Sequence, residues 1–430
     1  MTIHDSRFTI HAVPWYRDIT REQWRALAAA KLGWMLDAMD FLLYVMAIGQ
    51  LKEYFGFNDA TAGLLGTVTL ITSAVGGIVF GIVADRAGRT RALMATILIF
   101  SICSLGAATS QTLWQLMAWR ILLGFGMGGE WASGAVLVSE TWPAEHRVRA
   151  ISIMQSGWAL GYIAAALLAA LVLGKMNLGP NAWRWLFAIG VLPALLTLWI
   201  RRKVKEPDAW AKRASSRPQA AGPRPNAFAL LFGPDFRRKT ILATLLSACV
   251  QFANWGLFFW LPGFLARPVE QGGAGMSIVR SAGWIIPVQI GAYIGYNSFG
   301  FIAEKLGRRR TFVAYLVTAA ILVPLYGQMA RSPGILMALG PLLGFVGYGY
   351  FSLFGSFLAE LFPTDIRATG QGLTYNLGRG MGALAPYTIG AVASLPNVGI
   401  GSALALTSAF FLAGAVLIMF FPDTSRKLLA

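Results

Sequence analysis

Two acids, Asp37 and Asp40, sit three residues apart inside a predominantly apolar stretch, and three residues on a helix place side chains on a common face. Arg120 and Arg379 lie inside two other apolar stretches. A charge at bilayer depth is costly, so each such group needs a partner or a task. Two neighbouring acids resist joint ionisation, while an arginine favours the ionised form of its partner, so a carboxylate pair beside Arg120 can take up and release a proton. The same residues could instead be permanently ionised pairs holding one helix to another. Glu130 is open in the same way, as a proton relay or as a structural partner. Arg379, in Asn376-Leu-Gly-Arg379-Gly380, can grip a carboxylate with two parallel hydrogen bonds, with Arg120 as a second candidate; the alternative is a pairing with a carbonyl or an acid elsewhere. Gln251, Asn254, Trp255, Gln289, Tyr293, Tyr375 and Asn376 are candidate cavity-lining groups or interhelical contacts. No nucleophile–base–orienter set is visible, so no catalytic residues, metal or cofactor are expected. His4, His11 and His146 all fall outside the apolar stretches, which leaves proton chemistry to carboxylates.

The elements that must hold these groups follow from composition. The chain has 430 residues, 56% hydrophobic and only 13% charged, with mean hydropathy +0.58. A soluble domain carries about 25% charged residues, so this chain cannot cover a water-facing surface. Apolar runs near the ~20 residues that cross a bilayer predict twelve spans. They are placed at 25–51, 60–84, 90–109, 113–139, 147–173 and 183–202, then at 238–265, 276–303, 310–329, 333–361, 365–393 and 400–421. The expectation is an all-α integral membrane protein with bundles at 25–202 and 238–421. An N-terminal segment 1–24, a basic linker 203–237 and a tail 422–430 complete it. If span 1 enters near Arg25, a rise of ~1.5 Å per residue carries both aspartates to mid-membrane, with Arg120 expected at similar depth. The net charge of +17 sits mostly on alternate short connections, including Arg86, Arg89, Arg91 and Arg308 to Arg310. That is the positive-inside pattern, so both termini are expected in the cytoplasm and nucleic acid is not a partner. Cys103 and Cys249 lie in apolar runs and offer neither a disulfide framework nor metal spacing.

The chain also repeats itself. Gly81-Ile-Val-Ala-Asp85-Arg86-Ala-Gly88-Arg89 is echoed 219 residues later by Gly300-Phe-Ile-Ala-Glu304-Lys305-Leu-Gly307-Arg308. Glu140-Thr-Trp-Pro143 with Arg147 is echoed 220 residues later by Glu360-Leu-Phe-Pro363 with Arg367. Two motifs shifted by nearly the same distance imply two parallel six-helix halves with a site between them. The charged pairs of these motifs are candidate gating contacts that form in only one state of a two-state protein, alongside simple positive-inside anchoring.

The Gly-x-x-x-Asp-Arg-x-Gly-Arg loop resembles the signature of the major facilitator superfamily. Pro14-Trp-Tyr-Arg17, Gln23-Trp-Arg25, Leu36-Asp-Ala-Met-Asp40-Phe41, Gly126-Met-Gly-Gly-Glu130 and Thr374-Tyr-Asn-Leu-Gly378 are similar to its sialate:proton symporter branch. The chain departs from sialate members by lacking their enlarged middle and by carrying Arg379, which favours a smaller acid. The resemblance implies a carboxylate cargo and proton symport, with Asp40 as leading proton carrier, Arg120 as its switchable partner and Asp37 as a second candidate. The function expected is a proton-coupled symporter of a small organic acid anion, such as a monocarboxylate or aromatic acid, acting as a monomer in a bacterial inner membrane. A sugar or osmolyte symporter, a drug:proton antiporter and a transport-dead receptor are the rival readings.

Overall fold

The computed structural model describes residues 15–143, 145–207, 227–363 and 366–421. Residues 1–14, most of the linker and the tail 422–430 lie outside the described residues, as do the side chains of two expected gating residues, Asp85 and Arg367. The described chain is helical, without strands. In the first half the spans are α1 (Arg21–Phe55), α2 (Asp59–Ala87), α3 (Arg89–Ala108), α4 (Leu113–Thr141), α5 (Arg147–Gln155 and Gly157–Val172) and α6 (Ala182–Ile189 and Ala194–Lys203). In the second they are α7 (Arg237–Ala266), α8 (Ile278–Leu306), α9 (Arg308–Gln328), α10 (Pro333–Gly349 and Phe351–Glu360), α11 (Arg367–Gly382 and Ala385–Ala393) and α12 (Gly399–Leu417). Among the described residues, nine helical spans are long and apolar enough to cross a membrane. They are α1 to α7, α9 and α12, with the pieces of α5 and of α6 counted together.

Local chemistry sets the ends. Thr20 caps α1 in a reciprocal box with Gln23, and Gly56 closes it at φ 70°. Thr112 and Gln115 repeat the box at the start of α4. Four spans read as continuous are broken in the structure. In α6, Pro193 precedes the second piece, and in α11 Pro386 opens it; neither can supply a backbone N–H to the preceding turn. Breaks in α5 and α10 fall at Ser156 and Tyr350.

The repeat is visible in the packing. α2 lies on α4 and α8 on α10, where an added Cβ at Gly124 would strike the Thr69 carbonyl and one at Gly344 the Val288 carbonyl. Such close backbone approach is how helices associate in lipid, where burying apolar side chains gains little. The α2–α3 and α8–α9 turns are made by Gly88 at φ 113° and Gly307 at φ 89°, conformations that side chains disfavour. The halves meet along α2 against α11 and α5 against α8. Ile102, Leu171, Leu195, Ile294, Ile321 and Val416 are exposed on the outside, as a lipid-facing surface requires.

The face with the α2–α3 and α8–α9 turns is called the basic face below, and the opposite one the far face. Arg89 donates to Glu140 through Nε at 2.8 Å and Nη2 at 3.0 Å, and through Nη1 to the Ala84 carbonyl at 2.6 Å. Arg308 donates to Glu360 through Nη1. Each of these two ion pairs lies within one half, the first bracing α2, α3 and α4 and the second joining α9 to α10. Arg86, Arg147, Glu304 and Lys305 are exposed, and Gly81 has open space around it. Glu206, at the start of the linker, accepts from the backbone N–H groups of Thr90 and Arg91 at 3.1 Å each, capping the positive end of α3.

Candidate functional site

Asp37 and Asp40 are both buried in α1, but they serve different neighbours. Asp40 Oδ1 accepts a hydrogen bond from Ser104 of α3, and Gly190 of α6 packs against the same oxygen. Arg120 lies close enough to Asp40 to interact electrostatically, without an ion pair between them among the described residues. Its guanidinium instead stacks over Tyr44 at 4.3 Å and Phe41 at 5.2 Å. Asp40 and Arg120 are therefore held inside the first half.

Asp37 belongs to another cluster. Its two oxygens have no hydrogen-bond partner, and it interacts electrostatically with Arg379 of α11 as well as with Asp40. Glu130 of α4 is likewise buried with both oxygens unpartnered, in range of Asp37 and Arg379. Gly33, one turn before Asp37, leaves the space that the Glu130 carboxylate fills. Arg379 is buried, with Nη2 unpartnered, and its charged neighbours are Asp37 and Glu130. Two acids from the first half thus face one arginine from the second.

Depth agrees with this grouping. At ~1.5 Å per residue, Asp37 stands about 24 Å along α1 from Arg21, Arg379 about 18 Å along α11 from Arg367, and Glu130 about 16 Å from the basic-face end of α4. By the same rise Arg120 stands about 15 Å farther from the basic face than Glu130. Arg120, seven residues into α4, therefore stands about 31 Å from the basic face and Asp40 about 28 Å, so Arg120 reaches the depth of Asp40, with which it interacts, and lies beyond Asp37.

Most of the polar side chains expected around the cargo are buried near this cluster. Tyr375 stacks on Trp131 of α4 at 4.5 Å and 10°, joining the halves on the basic-face side of the cluster. Gln251 accepts from Trp255 at 3.1 Å, while its Nε2 and both polar atoms of Gln289 stay unpartnered. Asn254 donates to the Gly347 carbonyl at 3.3 Å and Asn376 to its own helix at Gly372, at 2.9 Å, so these two are satisfied by backbone. Tyr293 is only partly buried and lies under Lys31, one helical turn from Gln289. The sequence reading named Trp255 but missed the aromatic wall it joins: Trp158 between Trp34 and Trp255, Phe41 and Tyr44 on Phe259, and Tyr162 donating to the Phe258 carbonyl at 2.7 Å.

Farther toward the far face, Asp59 at the start of α2 pairs with Lys52 at 2.8 Å and with Arg267 of the second half at 2.5 Å. This ion pair joins the halves at the floor of a cleft of about 620 Å³, also lined by Glu270, Gln271 and Asn397. No group of His, Cys, Asp or Glu suited to a metal occurs among the described residues.

Known proteins share this architecture. The model of the Major Facilitator Superfamily matches residues 32–296. The chain is 33% identical over 411 residues to a probable 4-methylmuconolactone transporter of Cupriavidus pinatubonensis, covering 95% of this chain and 93% of that one. It is 31% identical to the cis,cis-muconate transport protein of Acinetobacter baylyi, covering 93% and 94%. Among solved structures, the xylose transporter XylE from E. coli in a partially occluded inward-open conformation aligns at a TM-score of 0.77 and 19% identity, covering 95% of this chain and 100% of that one. That last likeness is one of fold.

Proposed function

The chain belongs to the Major Facilitator Superfamily, and from that premise we propose that it carries a small organic acid anion together with a proton across a bacterial inner membrane. The relatives named for muconate and a muconolactone support an unsaturated or aromatic carboxylate as cargo. The observation that carries the reading is the trio of Asp37, Glu130 and Arg379, all buried and short of hydrogen bonds.

A charge count gives the cycle. Two ionised acids and one arginine leave one uncompensated negative charge in a low-dielectric interior, which a single bound proton removes. When a cargo carboxylate takes the Arg379 guanidinium, the second acid must also be neutral, so loading draws in one further proton. The loaded and empty sites are both uncharged, and each can be enclosed as the halves close. Release of that proton on the other side restores the acid to Arg379 and expels the cargo. Coupling is one proton per monovalent anion, and the step is electroneutral. Asp40 and Arg120 shape the first half beside this site. A buried arginine awaiting a negative partner favours anionic cargo over a cationic drug, and one chain carries the whole site, consistent with function as a monomer.

We read the basic face as cytoplasmic, from Arg86, Arg89, Arg91 and Arg308 to Arg310 on its short connections. Asp59 and Arg267 then form an outer latch that parts when the site opens outward. The test is uptake of radiolabelled benzoate, cis,cis-muconate, lactate, pyruvate and sialate into proteoliposomes with and without an inward proton gradient. Gradient-dependent accumulation of one or more of these acids is expected. A protein that binds or moves none of them, or moves them equally well without the gradient, refutes the proposal.

A further inference from the structure

Lys31 stands in α1 six residues before Asp37, on the basic-face side of the buried trio, and the mechanism above makes no use of it. It is partly buried where α1, α5 and α8 meet. Its backbone and stem are held tightly by α5, since a Cβ on Gly157 would lie 2.8 Å from the Lys31 carbonyl oxygen and 3.3 Å from its Cγ. Its ammonium reaches across to the second half and sits 5.3 Å from the centre of the Tyr293 ring. Asn297, one turn on, donates to the Tyr293 carbonyl at 2.8 Å. Among the described residues no carboxylate lies within ion-pair distance of Lys31.

An ammonium inside a membrane span is costly and ordinarily finds an acid, yet among the described residues this one has an aromatic face as its only ring or charge contact. It lies on the seam between the halves, roughly 9 Å along α1 from Asp37 at ~1.5 Å per residue. When the seam opens toward the basic face, Tyr293 moves away with the second half and the ammonium faces the opening. We propose that Lys31 is an anion-binding subsite of the state open to the basic face, where it takes the carboxylate of a cargo leaving Arg379. Tyr293 holds the ammonium when no cargo is there. The subsite rests on the reading of the cargo as an organic anion.

The test uses the full chain in oriented proteoliposomes at equal pH and zero voltage, with radiolabelled benzoate and cis,cis-muconate as probes. Half-saturation and the maximal initial rate of net transport into a cargo-free opposite side are measured separately from each face for wild type, Lys31→Met and Lys31→Arg. Loss of one charge-assisted contact made only in the inward-open state raises basic-face half-saturation about tenfold. Maximal efflux rises in proportion, because the ratio of rate to half-saturation must stay equal in the two directions when the gradient is zero. Far-face half-saturation changes less than about twofold, and Lys31→Arg behaves as wild type. Equal shifts on both faces, or lower maximal rates in both directions with unchanged half-saturation, overturn the subsite and leave the proposed function standing. If wild type moves neither probe nor any other acid of the panel, the proposed function fails and the subsite fails with it.

Discussion

Neutralising both acids of the trio, Asp37→Asn with Glu130→Gln, should uncouple cargo from protons, whereas either change alone should not. With one acid left, the empty site holds that acid ionised beside Arg379 and needs no proton. The loaded site holds cargo beside Arg379 and needs one, so the difference between empty and loaded remains a single proton. With neither acid, nothing is left to titrate and cargo crosses as an anion. Each pH unit is worth about 1.4 kcal/mol, or tenfold, so an inside-alkaline gradient of two units drives about 100-fold accumulation in wild type and in each single variant. The double variant should equilibrate at a ratio of about one. Voltage separates the cases further, because ~60 mV inside-negative is worth about 1.4 kcal/mol per charge. It should exclude cargo about tenfold in the double variant and leave wild type unchanged. The assay is radiolabel accumulation in proteoliposomes with the voltage clamped by potassium and valinomycin, and retained counterflow shows that each variant is folded. Proton-driven accumulation by the double variant at zero voltage would refute the two-acid count. So would complete uncoupling by one single variant, which would assign the proton to that acid alone.

Asp40→Asn should keep the about 100-fold accumulation and lower the thermal unfolding midpoint, because it weakens a neighbour of buried Arg120; loss of accumulation with normal counterflow would return the proton to Asp40. Arg379→Met should abolish saturable uptake of every acid in the panel, and Arg379→Lys should recover part of it by supplying the charge without the planar fork; uptake by the Met variant at wild-type half-saturation would remove Arg379 from the cargo site. Asp59→Ala should release Arg267 and shift the population toward the outward-open form, read as a longer spin-label distance between the α1–α2 and α7–α8 connections; an unchanged distance distribution would mean that the aromatic contacts alone hold that side closed. Gly124→Val should disrupt the α2–α4 crossing and prevent isolation of folded protein, since the added atoms meet the Thr69 backbone; a variant with the wild-type unfolding midpoint would show that the crossing tolerates separation.

The spans, the repeat and the list of buried charges were legible in the sequence because each rests on one-dimensional pattern: run length, spacing, and charge where charge is costly. The partners of those charges were not. A step of three residues turns a helix by about 300°, so Asp37 and Asp40 share a broad face yet differ by about 60°, enough for one to meet α11 and the other α3. Arg120 lies at the depth of Asp40 and meets it, while the same rotation carries Asp37 toward Arg379 instead. Arg89 was recognised as part of a motif, but its pairing with Glu140 rather than a role for Arg147 depends on where α3 begins beside the end of α4. The link from Asp59 to Arg267 spans 208 residues of sequence and had no pattern to announce it.

The asymmetry of the repeat explains why the charges lie where they do. The residues 219 positions after Asp37 and Asp40 are Gly256 and Phe259, and those 220 positions after Arg120 and Glu130 are Gly340 and Tyr350. Counting back 220 from Arg379 reaches Ala159. The duplicated scaffold therefore keeps its bracing pairs, Arg89 with Glu140 and Arg308 with Glu360, in both copies, while each copy holds only one sign of the central trio. Had acids and arginine lain in the same half, they would move together, and their attraction would be the same in every state. Divided between halves, the attraction changes with the rocking of one half on the other, and so does the free energy of holding a proton or a carboxylate there. A bundle that moves as two rigid bodies can couple ion to cargo only through groups that the motion separates, and among the buried charged side chains described here Asp37, Glu130 and Arg379 meet that condition.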